Sequence, residues 1–316
     1  MTITAFVSHT DLVVRGGPVR HYRSGDHGTP VLLLHGGMLD TAEGVWGDIA
    51  HRLATKYQVH AIDLPRHGAS RPWHGRLDRR FFDDFLDDLL EQLALPRTAL
   101  VGLSLGGGLG IGYALRHPER VSALIAVGPG GIGAKRRAQF TTWAMINTPG
   151  LLKLTSKYLA RSPKTLRKSM IGSLTAGVDT PGFDRILELV RSEAHAKAEY
   201  GEPALDDWMV DAYGPWRMRL NYLTELTGLQ VPSLWMRGEH DALVGHTEIA
   251  AAATAAPGGE LVTIPGAGHI VTYDRAAEFV RVAEEFLGRI DDSRDRPYSG
   301  HPGPEPEHSY NSAHET

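Results

Sequence analysis

The sequence predicts an α/β fold, a doubly wound and mostly parallel sheet carrying an inserted helical cap. Three observations predict it. Short, continuous apolar runs such as Val31-Leu32-Leu33-Leu34 recur along the chain, and unbroken rather than alternating hydrophobicity suits a strand buried on both faces. Between these runs lie stretches with apolar residues at three- and four-residue steps, the mark of amphipathic helices. A long central stretch then shows helical patterning with no buried strand. Strand, helix, strand, helix in that order argues for a parallel sheet covered on both sides.

Residues 11–23 hold two β-prone pieces split by Gly16-Gly17-Pro18, which reads as a hairpin. The run 31–34 is a buried strand ending in His35-Gly36-Gly37. A helix follows over about 45–54, then a strand over 59–64 ending in Pro65-Arg66-His67-Gly68. Residues 81–95 form a clear amphipathic helix through Phe82, Phe85, Leu86, Leu89, Leu90 and Leu93; the acids between them make a solvated face. A strand over 98–102, a helix over about 104–116 and a buried strand over 121–127 come next. The rhythm breaks at Gly128-Pro129-Gly130-Gly131. Two strands return at 231–236 and 261–264, and a final helix runs over about 275–287.

The expected organisation is therefore a core over 1–131 and 229–290, a helical cap over 132–228 and a disordered tail over 291–316. The tail is rich in Pro and charge and nearly free of apolar residues.

Composition narrows the function. Lys and Arg total 33 against 37 Asp and Glu, a net charge of −4. That balance offers no overall footprint for nucleic acid or an anionic membrane. The one short basic candidate, Lys135-Arg136-Arg137, reads as a solvated loop. With no cysteine in the chain, disulfides, thiolate metal sites and a cysteine nucleophile are excluded. The first 17 residues lack a charged start followed by an apolar run, and no apolar run approaches the roughly 20 residues needed to cross a bilayer. A cytoplasmic protein is expected, with no membrane or nucleic-acid partner; the oligomeric state is open.

The chemistry gathers at three loops. Gly102-Leu103-Ser104-Leu105-Gly106 matches G-x-S-x-G and lies between a strand and a helix, the context a nucleophile elbow requires. The turn is sharp enough that its neighbours must be small, and Gly102 and Gly106 meet that need. A serine needs a base, and His269 follows the last strand in Pro265-Gly266-Ala267-Gly268-His269. The imidazole needs an acceptor to fix its tautomer. Asp241, in Gly238-Glu239-His240-Asp241, fits best, with Glu239 as a near rival. Oxyanion donors are expected from the Leu105 amide and from Gly37, with Met38 as the alternative to Gly37. His35 reads as a structural hydrogen-bonder.

With these landmarks, and with Asp63-Leu64-Pro65-Arg66-His67-Gly68-Ala69-Ser70, the chain resembles the α/β-hydrolase superfamily in its capped, single-chain form over about residues 5–290. The order Ser104, Asp241, His269 is the superfamily's order. The resemblance implies acyl transfer through an acyl-enzyme, with no metal or cofactor, on an ester, lactone or thioester. It assigns Gly68 and Ser70 structural roles. Haloalkane dehalogenases and typical epoxide hydrolases are excluded because Ser104 stands where they have aspartate. The cap's Trp and Met residues suit a small-molecule substrate with an apolar acyl or aromatic group, although most of them are expected to be cap core. Two other readings share the fold: a lyase acting on a cyanohydrin with the same triad, and a non-catalytic ligand receptor.

Overall fold

The computed structural model describes residues 6–295. Its core begins with a hairpin of β1 (Ser8–Val14) and β2 (Gly17–Ser24), turned through Arg15 and Gly16 at positive φ. There follow β3 (Pro30–Leu34), α1 (Ala42–Leu53), β4 (Gln58–Ile62), α2 (Arg79–Gln92), β5 (Thr98–Leu103), α3 (Leu105–Arg116) and β6 (Val121–Val127). Five helices come next: α4 (Gln139–Ile146), α5 (Leu151–Arg161), α6 (Pro163–Ser173), α7 (Phe183–Glu199) and α8 (Asp207–Ala212). The core resumes with β7 (Ser233–Gly238), α9 (His246–Ala255), β8 (Glu260–Ile264), α10 (Val271–Asp274) and α11 (Ala276–Asp295).

The strands form one sheet in the order β1-β2-β4-β3-β5-β6-β7-β8. From β4 to β8 every neighbour is parallel, while β1 and β2 join antiparallel at one edge. The mostly parallel sheet expected from the apolar runs is therefore present. Side chains alternate between two cores. On one face Leu32, Leu34, Leu100 and Leu124 pack against α2, α3 and α9; on the other Val31, Leu33, Val101 and Ile125 pack against α1 and α11. Burial on both faces is why these strands are apolar without interruption.

Local signals set the helix ends. Asp78 caps α2, its carboxylate accepting from the Phe81 amide at 3.0 Å, and Thr41 caps α1 through the Gly44 amide at 3.1 Å. Phe82, Phe85, Leu86, Leu89 and Leu90 are the buried stripe of α2, each contributing about 2 kcal/mol by leaving water. In α7, Phe183, Ile186, Leu187, Val190 and Ala194 recur at the same helical steps and bury against Leu166 and Met170 of α6 and Leu174 just past its end.

Two elements differ from the sequence reading. Helix α9 was not expected: its stretch His246–Ala255 is half alanine, which propagates a helix well but leaves no apolar stripe to read. Helix α11 continues past Leu287 to Asp295, so residues 291–295 are helical where a disordered tail was expected. The remainder of that tail lies outside the described residues.

Candidate active site

Ser104 stands at the turn from β5 into α3 with φ +51° and ψ −109°. A non-glycine residue there stores about 1–3 kcal/mol of strain. The surroundings hold it. The Ser104 amide donates to Val127 O at 2.9 Å, while the Gly108 and Gly130 amides both donate to Ser104 O, at 3.0 and 2.8 Å. The flanking glycines are required by space: a methyl on Gly102 would sit 2.3 Å from Gly106 O, and one on Gly106 would sit 2.2 Å from Leu34 O. The small-residue demand expected of an elbow is thus a backbone-on-backbone contact between β3, β5 and α3.

Asp241 and His269 hang from the loops after β7 and β8. His269 Nδ1 and Asp241 Oδ2 are 2.9 Å apart. The other carboxylate oxygen accepts from the Leu243 and Val244 amides at 2.8 and 3.0 Å. Burial pushes the Asp241 carboxyl up, but the His269 hydrogen bond and these amides outweigh it and hold it below the usual aspartate value. The rival Glu239 is spent elsewhere, accepting from the Gly266 amide at 2.9 Å.

Gly128, directly after the strand end that binds the Ser104 amide, abuts the pair. A methyl there would lie 2.8 Å from Asp241 Oδ2 and 3.0 Å from His269 Nδ1. His269 Nε2 is buried and has no hydrogen-bond partner among the described residues. Asp241 and His269 are therefore joined, while Ser104 follows β5, separated in the sheet by β6 from the strand before Asp241, and among the described residues no hydrogen bond joins its hydroxyl to the imidazole.

The loop after β3 closes the site. A methyl on Gly37 would lie 3.6 Å from Leu105 Cδ2, so the two expected oxyanion donors are neighbours. Leu105 is the first residue of α3, where a helix leaves its amides without intrahelical acceptors. His35 is fully buried. It takes the Leu64 amide on Nε2 at 2.9 Å, so Nδ1 carries the proton and donates to Gly36 O at 2.6 Å. Burial pushes it down to about 3, and it stays neutral. Asp63 binds the Ala42 and Ala69 amides, each at 2.9 Å, and fixes the start of α1.

Asp40 was absent from the sequence reading, and Trp208 and Met209 entered it only within the undivided set of cap Trp and Met residues. A methyl on Gly36 would lie 2.1 Å from Asp40 Oδ2 and 3.5 Å from Ser104 Cβ, so Asp40 borders Ser104. Burial raises its carboxyl to about 7, against the opposing pull of His269. Trp208 of α8 covers Gly108 and Gly130, and the Met209 sulfur reaches Gly37. Asp40 follows the His35-Gly36-Gly37 turn at a short fixed offset and was open to suspicion; Trp208 and Met209 come from a distant helix and carried no local signal. Among the described residues no cluster of His, Cys, Asp and Glu is arranged to hold a metal ion.

The family model described as alpha/beta hydrolase fold matches residues 29–276. The chain belongs to the alpha/beta hydrolase family. It is 29% identical over 272 residues to a pimeloyl-[acyl-carrier protein] methyl ester esterase of Xanthomonas campestris, covering 84% of this chain and 97% of that one. An uncharacterised protein of Mycobacterium tuberculosis is 28% identical over 284 residues, covering 85% and 78%. Among solved structures, the carboxylesterase CesB of Bacillus subtilis superposes with a TM-score of 0.67 at 22% identity, covering 89% and 91%, which is a likeness of fold.

Proposed function

We propose that this alpha/beta hydrolase cleaves ester-like bonds of small molecules through Ser104, His269 and Asp241. The observation that carries the reading is the 2.9 Å Asp241–His269 bond, beside a serine held at positive φ at the head of a helix. The ester hydrolases among its relatives and fold neighbours support the bond type.

In this reading Ser104 Oγ attacks the carbonyl carbon as its proton passes to His269 Nε2, the nitrogen left free by the bond to Asp241. Asp241, held ionised by its two backbone amides, stabilises the imidazolium. The Leu105 and Gly37 amides receive the oxyanion, each worth about 3 kcal/mol of barrier. His269 then protonates the leaving alkoxide. In the second half it takes a proton from water, which attacks the acyl-enzyme and releases the acid. Trp208 and Met209 over the elbow form the apolar wall for the acyl group.

The test is turnover of a chain-length series of p-nitrophenyl esters by the parent and by Ser104→Ala. Turnover lost by roughly 10⁴-fold or more in a folded variant is expected. Equal residual rates in both proteins would overturn the serine mechanism.

A further inference from the structure

The net charge of −4 hides a sharp segregation. Residues 121–178 contain nine Lys and Arg and not one Asp or Glu, which leaves the rest of the chain strongly acidic. These cations are Lys135, Arg136 and Arg137 before α4, Lys153, Lys157 and Arg161 on α5, and Lys164, Arg167 and Lys168 on α6. Only Arg136 is partly buried, and it pairs with Glu248. The other eight are exposed, and none of them forms an ion pair among the described residues.

Large apolar side chains stand exposed among them. Phe140, Met145, Leu154, Tyr158 and Trp216 are 48 to 71% accessible. Trp216 stacks on Phe140 with centroids 5.0 Å apart, and Phe140 touches Trp143. On α5 the sequence Lys153, Leu154, Lys157, Tyr158, Arg161 falls within an arc of about 140° at 3.6 residues per turn. The adjoining face, through Ser156 and Ala160, is buried, and the helix packs on α7. Helix α4 abuts α5, and Tyr158 Oη lies 3.3 Å from Thr165 Oγ1 on α6, so the three helices adjoin.

Soluble surfaces usually interleave both signs of charge and do not cluster Trp, Phe, Met and Leu. Cations alternating with aromatic and aliphatic side chains match an anionic lipid surface. The charges meet headgroups, and the apolar groups enter the acyl boundary. Exposed Met145 and Leu154 would find no use on a polyphosphate backbone.

We propose that the face built by α4, α5, α6 and Trp216 docks peripherally on an anionic bilayer. No helix among the described residues is long and apolar enough to cross a membrane, so attachment is to the surface. Docking would bring lipid esters to the site. The end of α6 reaches the catalytic loop, with Ser173 O 3.1 Å from a methyl built on Gly268, the residue before His269.

The test separates docking from catalysis by using the full chain carrying Ser104→Ala. Its sedimentation with phosphatidylcholine vesicles is compared with and without phosphatidylglycerol, at low and high salt. Binding only to the anionic vesicles, released by salt, is expected. Lys153→Gln, Lys157→Gln and Arg161→Gln together should weaken it on the order of 100-fold. A second set, Lys135→Gln, Arg137→Gln and Lys164→Gln, lies on other segments and should act similarly, so one misfolded variant does not decide the matter. In a Ser104 background both sets should keep their turnover of a soluble ester. Trp216→Ala should lower binding to anionic vesicles without changing its salt dependence. Equal binding to neutral vesicles, no binding to anionic ones, or unchanged binding in both charge-removed sets would overturn the proposal. An acidic protein as the true partner would show itself as no vesicle binding at any salt.

Discussion

Arg71 and Glu193 join the loop after β4 to helix α7, with Nη2 2.5 Å from Oε1 and both side chains almost wholly shielded from water. Glu202 approaches the same guanidinium at 2.9 Å, and the Gly68 amide donates to Glu193 at 3.0 Å. Two carboxylates therefore share one buried cation. Arg71→Met strands Glu202, leaves Glu193 with the Gly68 amide and with Lys197 at 3.9 Å, and should cost about 3–5 kcal/mol. Adding Glu202→Gln should return part of that loss, because the stranded charge is gone. Denaturant unfolding of the single and double variants checks the coupling, and a double variant no more stable than the single would refute it.

Asp40 makes stability depend on pH. Its carboxyl is raised to about 7, chiefly by burial, so the folded protein holds a proton there that the unfolded chain has lost. The stability this gives is complete below the ordinary aspartate value and drains away as pH rises towards 7. Asp40→Asn cannot titrate. Its melting temperature relative to the parent should therefore rise between pH 5 and pH 8. A difference that stays flat over that range would show that Asp40 ionises freely.

Asp241 behaves in the opposite sense. Its carboxyl is held below the usual value by His269 and two backbone amides, despite burial. Its stabilisation is present above the ordinary aspartate value and is lost as pH falls through the lowered one. Asp241→Asn should leave the fold intact and drop kcat by about 10⁴-fold, because the amide can favour the wrong imidazole tautomer. Ester turnover with circular dichroism as the folding control measures both.

Gly106 tests the packing of the elbow. A methyl at this position would meet Leu34 O at 2.2 Å and His35 O at 2.6 Å. Both obstacles are backbone atoms of β3 and the turn after it, and neither can rotate away. Gly106→Ala should destabilise by roughly 3 kcal/mol or more, whereas Gly172→Ala, with open space around it, should be neutral or slightly stabilising. Comparing the two by thermal unfolding separates the steric cost from any general intolerance of glycine replacement.

The core strands were legible because the sheet buries both faces, so Val31 to Leu34 and Ala123 to Val127 need no polar residue anywhere. Helix α2 was legible because only one face meets the sheet. Helix α9 was not, since its alanines show no sidedness. The loops holding Ser104, Asp241 and His269 could be found because each follows its own strand. What sequence could not decide was which acid meets His269. The fold decides that locally: the Leu243 and Val244 amides draw Asp241 inward, while Gly266 takes Glu239. Trp208 and Met209 could not be singled out from the other cap Trp and Met residues, since the chain must cross the whole helical segment before α8 returns to Gly37 and Gly108. The basic face escaped notice because a whole-chain total averages it against acids on other surfaces.

The register of β6 against β7 carries one more consequence. Leu124 to Val127 pair in parallel with Ser233 to Met236, strands that flank the entire helical segment. On the ribosome, Ser104 emerges early, but the strand beside β6 does not exist until more than a hundred further residues have been made, and the loop bearing His269 comes later still. In the proposed mechanism a nascent chain therefore holds Ser104 without its base until the loop bearing His269 has been made.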